Sequence, residues 1–284
     1  MRRFAHTLLG ALGVVLAVGG CTGAGDDNGL RASRSPRNAP ESAEWYRYPA
    51  PNGTHTVVGV VRAQGVAVPP HVGVLLVPGS DGLSGDYISL AHELARSGLD
   101  VAAGCWFANE AVLPTEVRIA CADAPKFQGV TAAAVADLDA LVAAAYQALG
   151  PYEELALVGF SRGGGIAALR ASTGTPEPVV TIAGMVAGTS AWGRAEGEVD
   201  VVARAGSIDA PVMVLHGQDD WLIPVAHAQA LEDALRADAA DVRAVYYPGQ
   251  GHGLLQDPTT RADIVRQIAQ FVCSRLGCVV PNER

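Results

Sequence analysis

Leu155-Ala156-Leu157-Val158-Gly159-Phe160-Ser161-Arg162-Gly163-Gly164-Gly165 decides how the rest of this chain is read. Its first four apolar residues predict a strand buried on both faces. A tight turn follows, then a helix over 163–171. Within the turn, Gly159-x-Ser161-x-Gly163 forms a G-x-S-x-G pentad, the pattern of a nucleophile elbow. The spacing has a chemical reason. A serine strained in a tight turn needs minimal side chains two residues to either side. Its hydroxyl is then pushed out of the sheet, and the Arg162 amide points into the same space. The N-terminal end of the following helix adds a positive dipole that favours an oxyanion. In a chain with 33 glycines the pentad alone is weak, and its place between strand and helix gives it meaning.

Outward from this turn the chain alternates. Strands are expected at 56–61, 72–77, 99–103, 178–182, 212–215 and 242–246. Helices are expected at 87–97, 130–149, 163–171, 225–237 and 259–276. Such alternation implies right-handed crossovers and a mostly parallel central sheet with helices on both faces. In such sheets functional residues gather beyond the carboxyl ends of the strands. There is no internal repeat, and no Pro/Gly/Ser-rich linker splits 45–284, so this stretch is expected to be one domain.

The same glycines have a rival reading. Gly159-x-x-x-Gly163-x-Gly165 and Gly163-x-Gly165-x-x-Ala168 look like dinucleotide-binding loops. Such a loop belongs to the first strand–helix unit, with an acidic residue closing the next strand. Here it lies in mid-chain, and the next strand runs into Ala183-Gly184-Met185. No Tyr-x-x-x-Lys and no Gly-Lys-Ser/Thr occurs. The chemistry expected of this chain therefore needs no cofactor.

Two later strand ends carry candidates for an acid and a base. The strand at 212–215 is followed by His216-Gly217-Gln218-Asp219-Asp220-Trp221-Leu222-Ile223-Pro224. This resembles the H-G-x-x-D-x-x-V-P segment of α/β-hydrolases. Its register selects Asp220, with Asp219 as the alternative. Past the strand at 242–246 comes Pro248-Gly249-Gln250-Gly251-His252-Gly253, and His252 occupies the family's position for the general base. Pro78-Gly79-Ser80-Asp81-Gly82 stands where the family has its first oxyanion loop. The backbone amides of Ser80 and Arg162 are thus the implied oxyanion donors, although Pro78 replaces the His of many members.

The resemblance covers about 57–276 and implies the α/β-hydrolase fold. Val77-Pro78-Gly79-Ser80, Gly159-Phe160-Ser161-Arg162-Gly163 and His216-Gly217-Gln218-Asp219-Asp220 look most like the dienelactone hydrolase branch. They are also similar to bacterial polyester hydrolases and acyl-CoA thioesterases. The dienelactone hydrolases use a cysteine where Ser161 stands. That departure points away from lactones and toward ordinary carboxylic esters. The implied activity is serine ester hydrolysis through Ser161, His252 and Asp220, on a small-molecule or polymeric ester. A thioesterase, acyltransferase or peptidase is the alternative on the same fold, and an inactive surface-binding lipoprotein the alternative outside it.

The N-terminus reads as a processing signal. Arg2 and Arg3 precede an apolar run at 8–18, too short for a membrane span of about 20 residues. Val18-Gly19-Gly20-Cys21 resembles a bacterial lipobox. The expectation is a lipoprotein signal peptide at 1–20, a lipidated Cys21 and a flexible tether at 21–44. The domain at 45–284 would then lie outside the cytoplasm, anchored to a membrane without spanning it. The formal charge of −9 falls to −11 when Arg2 and Arg3 are removed with the signal. Lys126 is the only lysine and the arginines are scattered, so there is no basic stripe for nucleic acid.

Outside the cytosol the four remaining cysteines are expected to pair. Local pairing, Cys105–Cys121 and Cys273–Cys278, is the simplest of three connectivities, against free buried thiols. Metal binding is not expected, because His55, His71, His92 and His227 show no ligand spacing. Trp106, Trp192 and Trp221 fall near strand ends, where packing and substrate contact compete. The sequence leaves substrate identity and oligomeric state open.

Overall fold

The structure is a computed structural model that describes residues 30–32, 43–49, 55–64, 72–83, 85–106, 130–150, 154–187 and 197–280. The signal peptide, Cys21, Lys126, Cys121, Trp192 and His71 lie outside the described residues.

Among the described residues, nine strands form one sheet. In chain order they are β1 (Leu30–Ala32), β2 (Glu44–Pro49), β3 (His55–Val61), β4 (Val72–Val77), β5 (Asp100–Gly104), β6 (Glu154–Phe160), β7 (Val179–Ile182), β8 (Val212–Gly217) and β9 (Val242–Tyr247). Their spatial order is β1-β2-β3-β5-β4-β6-β7-β8-β9. From β5 across to β9 every pairing is parallel, and β1, β2 and β3 join as antiparallel edge strands. The mostly parallel sheet expected from the alternation is therefore present.

Five helices connect and cover it: α1 (Gly85–Arg96), α2 (Ala132–Leu149), α3 (Arg162–Ala171), α4 (Val225–Ala237) and α5 (Pro258–Leu276). Their ends follow local chemistry. Thr131 caps α2 by accepting the Ala134 amide at 3.2 Å. Asp257 caps α5 by accepting the Thr260 amide at 2.7 Å, with Pro258 in the first turn. Gly277 ends α5 at a φ of 75°, where its N–H reaches back to the Cys273 carbonyl.

The core explains the continuous apolar runs. β4, β5 and β7 are buried along their whole length, as strands covered on both faces must be. One buried charge network ties α3 to its neighbours. Arg170 donates to Asp139 on α2 at 2.7 Å and to Glu177 at 2.9 Å. With both carboxylates in place the guanidinium remains firmly protonated despite its burial.

Two readings change at the edge of the sheet. Glu44–Pro49 is a strand that the sequence did not announce, and Leu30–Ala32 pairs with it inside the segment read as tether. Strand β2, flanked by β1 and β3, is held by backbone pairing and by buried Trp45 and Tyr48. The Trp45 ring lies across from Gly59, where a Cβ would stand 2.7 Å from the indole. The strands bearing the site also run longer than expected, to Phe160 on β6 and Gly217 on β8.

Candidate active site

Ser161 sits between β6 and α3 with a φ of 53° and a ψ of −121°, a left-handed conformation rare for serine. Backbone bonds hold it there. Its N–H donates to the Ile182 carbonyl at 2.8 Å, and its own carbonyl accepts from Gly165 and Met185. The flanking glycines are steric requirements. A Cβ on Gly159 would stand 2.5 Å from the Gly163 carbonyl carbon and oxygen. A Cβ on Gly163 would stand 2.3 Å from the Val77 oxygen and 2.4 Å from the Pro78 oxygen. The turn can thus lie against the end of β4 only if both positions are glycine.

Asp220 and His252 arrive from the loops after β8 and β9, beyond β7 along the sheet. His252 Nε2 lies 3.1 Å from Ser161 Oγ, and His252 Nδ1 lies 2.8 Å from Asp220 Oδ2. The two loops are fastened to each other. The Gln218 amide donates to Tyr247 and the Asp219 amide to Gln250, while a Cβ on Gly217 would stand 2.2 Å from the Gln250 oxygen. The Phe160 ring packs 5.2 Å from the imidazole.

The Asp220 side chain is fully buried. Its Oδ1 accepts the Leu222 and Ile223 amides at 2.9 and 2.8 Å. Burial by itself would raise this carboxyl. Hydrogen bonds from His216, His252 and the Ile223 amide outweigh it and hold the group well below the usual carboxylate range. Asp219, by contrast, is exposed to solvent.

Two backbone amides, one in the loop after β4 and one at the start of α3, are the expected oxyanion donors. In the loop after β4, the Gly79 N–H donates to the Tyr87 hydroxyl at 2.9 Å and the Gly82 N–H to the Gly79 carbonyl. The Ser80 amide has no acceptor among the described residues, and neither does the Arg162 amide at the first turn of α3. Burial, followed by the nearby Asp81 charge, raises the Tyr87 hydroxyl far above the phenol range, so it remains a hydrogen-bond anchor for the loop. The Arg162 side chain is buried, and its Nε and Nη1 have no hydrogen-bond partner among the described residues. Burial lowers this guanidinium, against the nearby charge of Glu198.

The structure thus brings together Ser161, His252 and Asp220, and leaves the Ser80 and Arg162 amides, the expected oxyanion donors, without an acceptor among the described residues. Two contacts were not singled out from the sequence: His216 beneath Asp220, and Tyr87 beneath Gly79. His216 could have been noticed as the first residue of the H-G-x-x-D segment. Tyr87 is an unremarkable core position on α1 and carries no local signal.

Of the tryptophans, Trp106 is buried and donates to the Pro78 carbonyl at 2.8 Å, while Trp221 is 73% exposed beside Asp220. Cys273 and Cys278 form a disulfide. Cys105 is disulfide-bonded as well, and its expected partner Cys121 lies outside the described residues. Among the described residues no group of three or more His, Cys, Asp or Glu side chains could hold a metal ion.

A mostly parallel sheet with a serine turn after β6 and an acid and a histidine after β8 and β9 is the arrangement of the α/β-hydrolase fold. The chain belongs to the Dienelactone hydrolase family, whose model matches residues 59–269. It is 36% identical over 110 residues to a Yersinia pestis protein named as a carboxymethylenebutenolidase, covering 38% of this chain and 40% of that one. It is 34% identical over 73 residues to the monoacylglycerol lipase of Mycolicibacterium smegmatis, covering 26% of this chain and 25% of that one. The chain thus spans less than half the length of these curated relatives. Among solved structures, the dienelactone hydrolase-like promiscuous phosphotriesterase P91 from metagenomic libraries aligns with a TM-score of 0.64 at 22% identity, covering 82% of this chain and 99% of that one.

Proposed function

We propose that this protein hydrolyses carboxylic esters through a serine acyl-enzyme. The observation that carries the reading is the unbroken line from Asp220 Oδ2 to His252 Nδ1 at 2.8 Å and from His252 Nε2 to Ser161 Oγ at 3.1 Å. Ser161 Oγ attacks the acyl carbonyl while His252 Nε2 takes its proton. Asp220 holds the tautomer and orientation of the ring and stabilises the imidazolium. The Ser80 and Arg162 amides receive the oxyanion of the tetrahedral intermediate. When it collapses, His252 passes the proton to the departing alcohol. Water, deprotonated by the same nitrogen, attacks the acyl-enzyme and releases the acid.

Esters are favoured over lactones because Ser161 occupies the position where dienelactone hydrolases carry cysteine. A relative named as a monoacylglycerol lipase and another, from Arabidopsis thaliana, named as a methylesterase support the same bond type. The apolar run at 8–18 and the small residues before Cys21 support an extracytoplasmic enzyme anchored to the membrane through lipid on Cys21.

Turnover of p-nitrophenyl esters of graded acyl length, together with labelling by a fluorophosphonate, tests the reading. The expected result is labelling of Ser161 and loss of turnover by on the order of 10⁵- to 10⁶-fold in Ser161→Ala. Turnover surviving in a folded Ser161→Ala variant would overturn it.

A further inference from the structure

Asp220 Oδ2 is shared between two histidines. It accepts from His252 Nδ1 at 2.8 Å and lies 3.3 Å from Nε2 of His216. His216 stands one residue before the end of β8, and its side chain is completely buried. The same Nε2 is 2.9 Å from the Ile223 carbonyl oxygen. Both neighbours of Nε2 are acceptors, so this network assigns the ring proton to Nε2. His216 Nδ1 is sealed from solvent and has no hydrogen-bond partner among the described residues. A polar atom left empty in a core costs free energy. Leucine at this position would avoid that cost, so what the imidazole adds is the donor at Nε2.

We propose that His216 is a positioning residue that acts through Asp220 on His252, an inference that rests on the ester hydrolase reading above. The Leu222 and Ile223 amides fix Oδ1 of the carboxylate. They leave the group free to rock about that oxygen. His216 removes this freedom by holding Oδ2 from below, on the atom that receives His252. Through the Ile223 carbonyl, the same ring also clamps the turn that supplies the two amides. Oδ2 is thereby kept in line with Nδ1 of His252 before substrate arrives, and the geometry costs no reorganisation during proton transfer.

Three substitutions and a double variant test this. His216→Leu removes the donor. His216→Gln carries an amide nitrogen to the place of Nε2, whereas His216→Asn carries one only to the place of Nδ1. The expected result is that His216→Leu and His216→Asn lower kcat and kcat/KM together by about 10- to 100-fold. KM should barely change, and His216→Gln should retain most of the turnover. In an Asp220→Asn background, His216→Leu should add no further loss, because its route to His252 has already been cut.

Wild-type turnover in His216→Leu would overturn the proposal, as would full additivity with Asp220→Asn. Should His216→Leu not fold, the Gln and Asn variants decide alone, and equal losses in the two would overturn it. Ser161→Ala, run in parallel, separates the two levels. If it keeps turnover the ester hydrolase reading itself falls, and with it this inference. If it is inactive, an active His216→Leu refutes only the role of His216.

Discussion

His252 Nδ1 and Asp220 Oδ2 meet at 2.8 Å although 32 positions separate them, while Asp219 keeps its side chain in solvent and lends only its amide to Gln250. Asp220→Asn is therefore expected to lower kcat by on the order of 10³- to 10⁴-fold. Asp219→Asn should stay within a few-fold of wild type, since the Gln250 bond uses its backbone. Ester turnover measured side by side checks the order, and a larger loss in Asp219→Asn would reverse the assignment.

The same carboxylate sets an acid dependence of stability. Its folded-state value is depressed by the hydrogen bonds that overcome burial, so the unfolded chain takes up its proton first on acidification. The stabilisation it provides is complete above the ordinary aspartate value near ~4 and drains away as pH falls below it. Melting of wild type and Asp220→Asn at pH values between about 5 and 3 should therefore show a gap that narrows on acidification. A gap that widens over that range would contradict this origin.

Gly163 lies against the end of β4, with the Val77 oxygen 2.3 Å from where a Cβ would stand. Gly163→Ala must push two backbone segments apart, at an expected cost of about 3 kcal/mol or more. Gly174, at a φ of 86°, has nothing near a Cβ, and Gly174→Ala should lose only about 1 kcal/mol through backbone strain. Denaturant titration of both variants tests the contrast, and equal losses would show that the close approach is not what Gly163 provides.

Arg162 buries a guanidinium whose Nε and Nη1 lack hydrogen-bond partners among the described residues. Arg162→Met keeps the length and the backbone amide while removing the unsatisfied donors. The protein is expected to gain roughly 1–3 kcal/mol, read as a rise of several degrees in Tm. An unchanged or lower Tm would mean that the guanidinium is stabilised in place.

Much of this architecture was legible along the chain. Periodicity located the strands and helices from β3 to α5, because a strand buried on both faces must be apolar throughout and a covering helix must be apolar on one side. Gly159, Ser161 and Gly163 were readable because the clash that excludes a Cβ is local to one turn. Strand β2, on the antiparallel side of the sheet, escaped, since it pairs chiefly through its backbone and alternates buried Trp45 and Tyr48 with more exposed neighbours. The Trp45 anchor acts across the sheet on Gly59.

By itself, then, the sequence determined the order of elements, the strained serine turn, and the order Ser161, Asp220, His252 at the ends of β6, β8 and β9. Tertiary structure alone decided which amides in the loop after β4 are already engaged. The Gly79 amide is spent on Tyr87 and the Ser80 amide is not, a distinction made by the packing of α1 against the loop after β4. It also placed His216 on Oδ2 of Asp220, a contact that depends on the fold of the turn at 220–223 around the end of β8. The reason is one of range. Side-chain sterics and apolar periodicity act within a few residues and leave their mark in any short window. A hydrogen bond between residues 91 positions apart, as between Ser161 and His252, exists only after the sheet has closed between them.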